Sequence, residues 1–429
     1  MTATSLLFLA LLGGMLLHLP IAIALLGSVL AAMLVFNVMP LKTLFSGIYA
    51  SVDSFALLAV PFFILSGNLM SRCGISARLV SFARVLVGHL SGGMGLVTIV
   101  ACAFFASISG SGLATAAAIG GILIPVMVKE DYDPAFASAL TASASAVGPV
   151  IPPSVPFIIY GVLCSVSITE LFIAGVIPGL LMCVTLGIAT WFISKKKNYG
   201  IKAKKSSGKD IWRAFWDAKW SLLMPVIILG GIYGGICTPT EAAVIGTLYA
   251  LIIGFFVYKE LHLKDLLPVV ADTSAAVGVS LILLGTATLF GRIMVMEQVP
   301  AYLVQLISEF TDSRIVVLLM VNLALLVAGM FLETICAITM CAPLLLALVK
   351  SYGVSPVHFG LILCVNLAIG LSTPPVGASL YIAAGVAKVP IERTFRPLTL
   401  LLIANLVALM IVTYCEPLVM FLPRLVYGG

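Results

Sequence analysis

Two kinds of segment in this sequence set small polar residues and helix breakers within apolar surroundings, and each kind occurs twice. One is Ser107-Ile108-Ser109-Gly110-Ser111-Gly112, answered by Gly329-Met330-Phe331-Leu332-Glu333-Thr334. The other is Gly148-Pro149-Val150-Ile151-Pro152-Pro153-Ser154, answered by Gly370-Leu371-Ser372-Thr373-Pro374-Pro375. Prolines at this density remove amide donors and collide with the preceding turn, so neither segment of the second kind can be regular helix. Unwound backbone in an apolar medium is costly unless it lines a cavity or binds something. Its freed carbonyls, with nearby serine and threonine hydroxyls, form a hard-oxygen cage suited to an alkali cation. The half-helix N-termini can direct their positive ends at an anion. Plain kinking is the alternative for a single proline pair; two pairs at equivalent positions, each with a polar tip, favour binding.

Few ionisable groups accompany these segments. Glu333 lies in the second tip, where a carboxylate reads as functional; it can be a proton carrier, a cation ligand or a helix cap. Asn366 stands one turn ahead of the second break and can bond substrate or the backbone that the break frees. Ser109, Ser111, Ser154, Glu333 and Asn366 are the candidates for substrate contact. Asp53, Glu241, Asp272 and Arg292 fall near the ends of apolar runs, where snorkelling to the interface explains them. His18, His89, His262 and His358 stand apart and suggest no metal site. The nine cysteines are scattered without C-x-x-C spacing and read as small buried hydrophobes. No H-E-x-x-H or G-x-S-x-G motif is present, and Gly200 to Lys209 matches a phosphate loop only superficially, with Asp210 where Ser or Thr should follow. No enzyme is expected, and transport energy must come from an ion gradient or another subunit.

The elements holding these residues must lie in lipid. Of 429 residues, 62% are hydrophobic and 9% charged, with a mean hydropathy of +1.21; a soluble surface needs about a quarter charged. Apolar runs of about 20 residues recur along the chain, as spanning helices require. The first begins near Met1 without a basic n-region or a small-x-small cleavage site, so it is expected to stay as a membrane helix. The net charge of +6 traces to Lys195, Lys196, Lys197, Lys202, Lys204, Lys205 and Lys209. That cluster marks a cytoplasmic loop and not a nucleic-acid surface. Contact with anionic lipid is compatible with it, though orientation alone accounts for it.

The apolar runs fall at 4–17, 20–36, 50–70, 92–128, 135–165 and 171–193, and again at 221–236, 241–258, 268–290, 315–350, 357–386 and 398–422. More polar stretches at 72–90 and 297–313 suit amphipathic helices along the membrane surface. The halves match in detail: Leu12-Gly13-Gly14 before Pro20 answers Leu229-Gly230-Gly231 before Pro239, and Pro134 answers Pro356. The chain therefore reads as a first repeat over 1–193, a cytoplasmic lysine-rich linker over 194–219 and a second repeat over 220–429, a common plan for secondary transporters. As straight helices, 92–128 and 315–350 would each reach roughly 50 Å against a hydrocarbon core of about 30 Å. Each is either a hairpin entering and leaving on one side or two spans with a tight turn. With hairpins, each half has an odd number of spans and the second half is inverted. Of the 23 Lys and Arg residues, only Lys42, Arg292, Arg314, Lys350 and Arg424 then fall outside, as the positive-inside rule asks. The expected fold class is an all-α polytopic membrane protein, an inverted repeat of five spans plus one re-entrant helical hairpin per half.

Four motifs resemble the DctM-like large membrane subunits of tripartite ATP-independent periplasmic (TRAP) transporters. They are Ser107 to Ala116, Gly148 to Ser154, the segment Gly234-Gly235-Ile236-Cys237-Thr238-Pro239-Thr240-Glu241-Ala242-Ala243, and Thr373-Pro374-Pro375-Val376-Gly377. The resemblance covers essentially the whole chain. It implies an elevator-type secondary transporter of the bacterial inner membrane, sodium as coupling ion and no other cofactor. It also implies a small four-helix membrane partner and a periplasmic binding protein delivering an organic acid of the C4-dicarboxylate or sialic acid class. Carried onto this sequence, the implied sodium ligands are Ser107, Gly148, Ile151 and Pro153 for one ion, and Gly329, Gly370, Thr373 and Val376 for the other. Because the sequence starts directly at the first span, the four-helix partner is expected as a separate polypeptide. A stand-alone anion carrier of the same architecture is the alternative. A channel would favour a continuous polar lining, which these two concentrated sites do not offer.

Overall fold

A computed structural model describes residues 2–199 and 206–428. The stretch 200–205, with Lys202, Lys204, Lys205 and the Gly200 end of the phosphate-loop match, lies outside the described residues. Regular structure among the described residues is helical throughout. The first half holds α1 (Ala3–Leu16), α2 (Ile21–Phe36), α3 (Lys42–Val52), α4 (Ala59–Arg72), α5 (Ile75–Val87), α6 (Gly93–Ser109), α7 (Gly112–Lys129), α8 (Pro134–Ser145), α9 (Val155–Cys164) and α10 (Ile168–Lys197). The second holds α11 (Gly208–Tyr233), α12 (Pro239–Ile252), α13 (Leu263–Met296), α14 (Val299–Phe310), α15 (Arg314–Phe331), α16 (Thr334–Ser351), α17 (Pro356–Gly370), α18 (Ala378–Ala387), α19 (Ile391–Tyr414), and the short α20 (Glu416–Val419) and α21 (Phe421–Tyr427). Among the described residues, nine helices are long and apolar enough to cross a membrane. The protein is an all-α polytopic membrane protein.

Local chemistry explains where the helices begin. Thr238 and Glu241 close a reciprocal capping box on α12, and Ser207 with Asp210 does the same on α11. Glu241, expected to snorkel, is therefore a cap, and Asp272 pairs with Arg72 at 3.5 Å. Pro134 and Pro356 occupy the first turns of α8 and α17, behind the caps Asp133 and Ser355. Asn37 and Asn198 end α2 and α10 in the left-handed region.

Several elements differ from the sequence reading. α3 lies in a gap between expected runs: it is an 11-residue helix with one buried residue, Leu44, too short and too polar to register as a span. The linker expected over 194–219 is largely helix, because α10 continues to Lys197 and α11 begins at Gly208. Lysine is a good helix former, and the Ser207 capping box starts the next helix early. α13 has 34 residues, about 51 Å at the standard rise and longer than the run that announced it. The two amphipathic helices also differ from each other. α5 buries Ile75, Leu79, Val80, Phe82 and Ala83 between α6 and α11, whereas α14 buries nothing.

Two apolar clusters organise the packing. The larger joins the α6–α7 and α15–α16 pairs with α8, α9, α10, α17, α18 and α19. The smaller gathers Leu7, Leu25 and Val29 of α1 and α2 against Leu283, Phe290 and Ile293 of α13. Within the larger cluster the halves interlock: α9 packs on α16, while α18 packs on α7 and α8.

Candidate functional site

α6 stops at Ser109 because Gly110 turns left-handed, with φ at +58°. Ser111 then caps α7, its hydroxyl accepting from the Ala114 amide at 3.4 Å. Thr115 Oγ1 donates to the Ser111 carbonyl at 2.7 Å and lies 3.2 Å from Ser109 Oγ, so the tip is a closed hydroxyl network. This tip meets the break between α8 and α9 by a close backbone approach. A Cβ on Gly148 would sit 2.7 Å from the Ser111 carbonyl carbon and oxygen, and one on Gly110 would sit 2.6 Å from the Pro153 oxygen. Only glycine allows that approach.

The second half repeats the contact. A Cβ on Gly370 would lie 2.6 Å from the Gly329 Cα and carbonyl carbon. Glu333 caps α16, its Oε2 accepting from the Ile335 amide at 2.9 Å. Gly377, with φ at +50°, leads the second break into α18. The peptide bonds Pro152-Pro153 and Pro374-Pro375 are both cis.

The backbone oxygens at both junctions have few partners. Among the described residues, the carbonyls of Ser107, Gly148, Ile151 and Pro153 accept no hydrogen bond, nor do those of Gly329, Thr373 and Val376. The Gly370 carbonyl is the exception, accepting from the Thr373 amide at 2.9 Å. Carbonyls without partners thus stand in both tips and in both breaks, and such oxygens suit a desolvated cation.

The serines do structural work here as well. Ser154 Oγ donates to the Pro149 carbonyl across the first break and accepts from the Phe157 amide at 3.4 Å, capping α9. Ser107 Oγ donates to the Phe104 carbonyl at 2.7 Å. Asn366 is fully buried: its Nδ2 donates to the backbone and side-chain oxygens of Asn322 on α15, each at 2.8 Å, while its Oδ1 has no partner among the described residues. Asn322 in turn donates to Thr413 on α19 at 3.0 Å. The structure therefore joins Ser111, Gly148, Pro153 and Ser154 at one junction, with Ser107 and Ser109 on the same tip, and Gly329 and Gly370 at the other, while Asn366 clamps helices.

Sequence reasoning missed Asn322, Thr413 and the close approach of Gly110. It also missed Tyr160, whose hydroxyl donates to the Pro356 carbonyl at 2.6 Å and ties the two broken helices together. The Ser-Gly-Ser-Gly spacing held a signal for Gly110; the others had none. The junctions also differ in exposure: Pro152, Pro153 and Ser154 are buried, whereas Phe331 and Val376 are 51% and 42% exposed.

Residues 8–418 match the family described as "Tripartite ATP-independent periplasmic transporter, DctM component". The chain belongs to this family. It is 44% identical to the isethionate TRAP transporter permease protein DctMQ of Oleidesulfovibrio alaskensis, over 94% of this chain and 63% of that protein's length. It is 38% identical to the sialic acid TRAP transporter large permease protein SiaM of Vibrio cholerae, covering 95% of this chain and 96% of that one. Against the C4-dicarboxylate TRAP transporter large permease protein DctM of Rhodobacter capsulatus, identity is 36% and coverage 96% of each. In fold it is similar to the solved Alcanivorax borkumensis YdaH transporter, with a TM-score of 0.58 at 14% identity, covering 88% of this chain and 90% of that one. This DctM-family chain is a TRAP transporter large permease component, a multi-pass protein of the inner membrane and not an enzyme.

Proposed function

We propose that this chain carries out sodium-coupled uptake of an organic acid, received from a periplasmic binding protein and moved by an elevator motion. The observation that carries the reading is the pair of glycine-sealed junctions, where a hairpin tip and a proline break meet backbone to backbone and both segments hold carbonyls without hydrogen-bond partners among the described residues. Neutral oxygens at both junctions suit sodium better than a proton. The first tip meets its broken helix between arms of 12 and 10 residues. If that helix crosses the bilayer, the hairpin stops about half-way, which supports a re-entrant hairpin and two inverted halves. The separate apolar cluster of α1, α2 and α13 supports a scaffold against which the interlocked hairpins and broken helices slide.

The relatives are named for isethionate, sialic acid, C4-dicarboxylates and 2,3-diketo-L-gulonate. All are acids, and a substrate of that class fits between two cation sites and beside half-helix N-termini. A small four-helix membrane subunit and a soluble receptor complete the transporter. The test is uptake into proteoliposomes holding both membrane subunits, with receptor and candidate acid outside. An inward sodium gradient drives uptake. Full uptake under a proton gradient in sodium-free buffer overturns the coupling, and full uptake without receptor makes the chain a stand-alone carrier.

A further inference from the structure

All four tryptophans of the chain stand at one end of the bundle: Trp191 near the end of α10, and Trp212, Trp216 and Trp220 on the first half of α11. Lys195 lies over the Trp191 ring at 5.1 Å and Lys219 over the Trp216 ring at 3.7 Å. Tryptophan at a basic helix end is the signature of headgroup depth. At that depth a cavity of about 730 Å³ opens between α5, α11 and Tyr258.

Charges of both signs line it. Arg78 is committed elsewhere: its guanidinium stacks on Tyr258 at 3.8 Å and pairs with Glu260 at 2.7 Å. Asp210 is held in the capping box by Ser207 at 2.8 Å. Arg213 and Asp217 remain, one turn apart on α11, both exposed and in no ion pair among the described residues. Beside them stand Trp216, Trp220 and Val85 as an apolar wall.

We propose that this cavity binds the headgroup of an ethanolamine phospholipid. Arg213, with Lys219 nearby, takes the phosphate; Asp217 takes the primary ammonium, which donates hydrogen bonds that a quaternary choline cannot. Asp217 would repel a lipid carrying negative charge alone. The apolar wall lies where the acyl chains leave the headgroup, which selects a membrane lipid over a soluble phosphate. The lipid then fills the joint between α11 and α5, the helix leading into the first hairpin.

The test is a titration of the delipidated full-length protein with short-chain phosphatidylethanolamine, phosphatidylcholine and phosphatidylglycerol, followed by tryptophan fluorescence. The ethanolamine lipid saturates the signal about tenfold more tightly than the other two, the factor expected of one additional charge-assisted contact. The double variant R213Q/D217N loses that preference while keeping the elution position and Tm of the parent in detergent. Each single variant separates the halves of the headgroup: D217N brings ethanolamine and choline lipids together, and R213Q weakens all three. Tightest binding by phosphatidylglycerol, equal binding of ethanolamine and choline lipids, or an unchanged preference in the double variant overturns the proposal.

Discussion

Gly148 and Gly370 leave no room for a side chain, because the atoms that would meet their Cβ are backbone. Backbone cannot swing away as a side-chain end can, so Gly148→Leu or Gly370→Leu must push the tip off the break. Displacement of about 1 Å at a binding geometry can cost two orders of magnitude. Uptake by either variant therefore falls about 100-fold with membrane insertion unchanged, and normal uptake removes the glycines from the site. Gly121 is the internal control: nothing lies within 4 Å of its Cβ position, so Gly121→Ala transports normally. Asn366 belongs to the same scale. Asn366→Leu leaves the Asn322 side-chain oxygen without its donor in the interior, costing about 1 kcal/mol. The double change Asn322→Leu with Asn366→Leu recovers part of the lost Tm, because no orphaned partner remains at that pair. Thermal denaturation of all three variants checks this; strictly additive losses would mean that the amides do not interact.

Helices also meet at a charged junction away from the tips. Glu416 on α20 accepts from Arg314 at the start of α15 at 2.6 Å and from Arg424 on α21 at 3.4 Å, and lies 3.8 Å from the ring of His358 on α17. Burial pushes the Glu416 carboxyl up. The Arg314 hydrogen bond and the charges of His358, Arg314 and Arg424 together outweigh this and hold it below its ordinary value. A carboxylate depressed by folding contributes stability above its ordinary value and loses it as pH falls through the depressed one. Glu416→Gln therefore lowers Tm at pH 7. The gap to the parent closes as pH falls below about 4, the ordinary carboxylate range. A gap that stays constant with pH would assign the effect to packing alone.

At the scale of the molecule, the proposed coupling at two junctions of the same design leads us to expect two cations per cycle. Initial uptake rate should then rise sigmoidally with sodium, with a Hill coefficient above one. A strictly hyperbolic curve would mean that only one junction binds a coupling ion. Interlocking α9 with the second hairpin and α18 with the first makes the larger cluster a single unit. The two breaks differ in exposure although their sequences match: Pro152 and Pro153 are buried, whereas Pro375 and Val376 are exposed.

Hydropathy, proline and glycine were sufficient to read the membrane class, both tips and both breaks, because each follows from local physics: lipid demands apolar runs, and proline breaks a helix wherever it falls. α6 ends at Ser109 and α15 at Phe331, inside the segments that spacing alone marked. Partners were a different matter. That the Asn366 amide nitrogen bonds Asn322, that Ser154 is a cap, and that α9 and α18 cross into the opposite half depend on which helices become neighbours. Residues far apart in the chain meet only when helices pack. One sequence records each helix's apolar face but not the helix that will cover it.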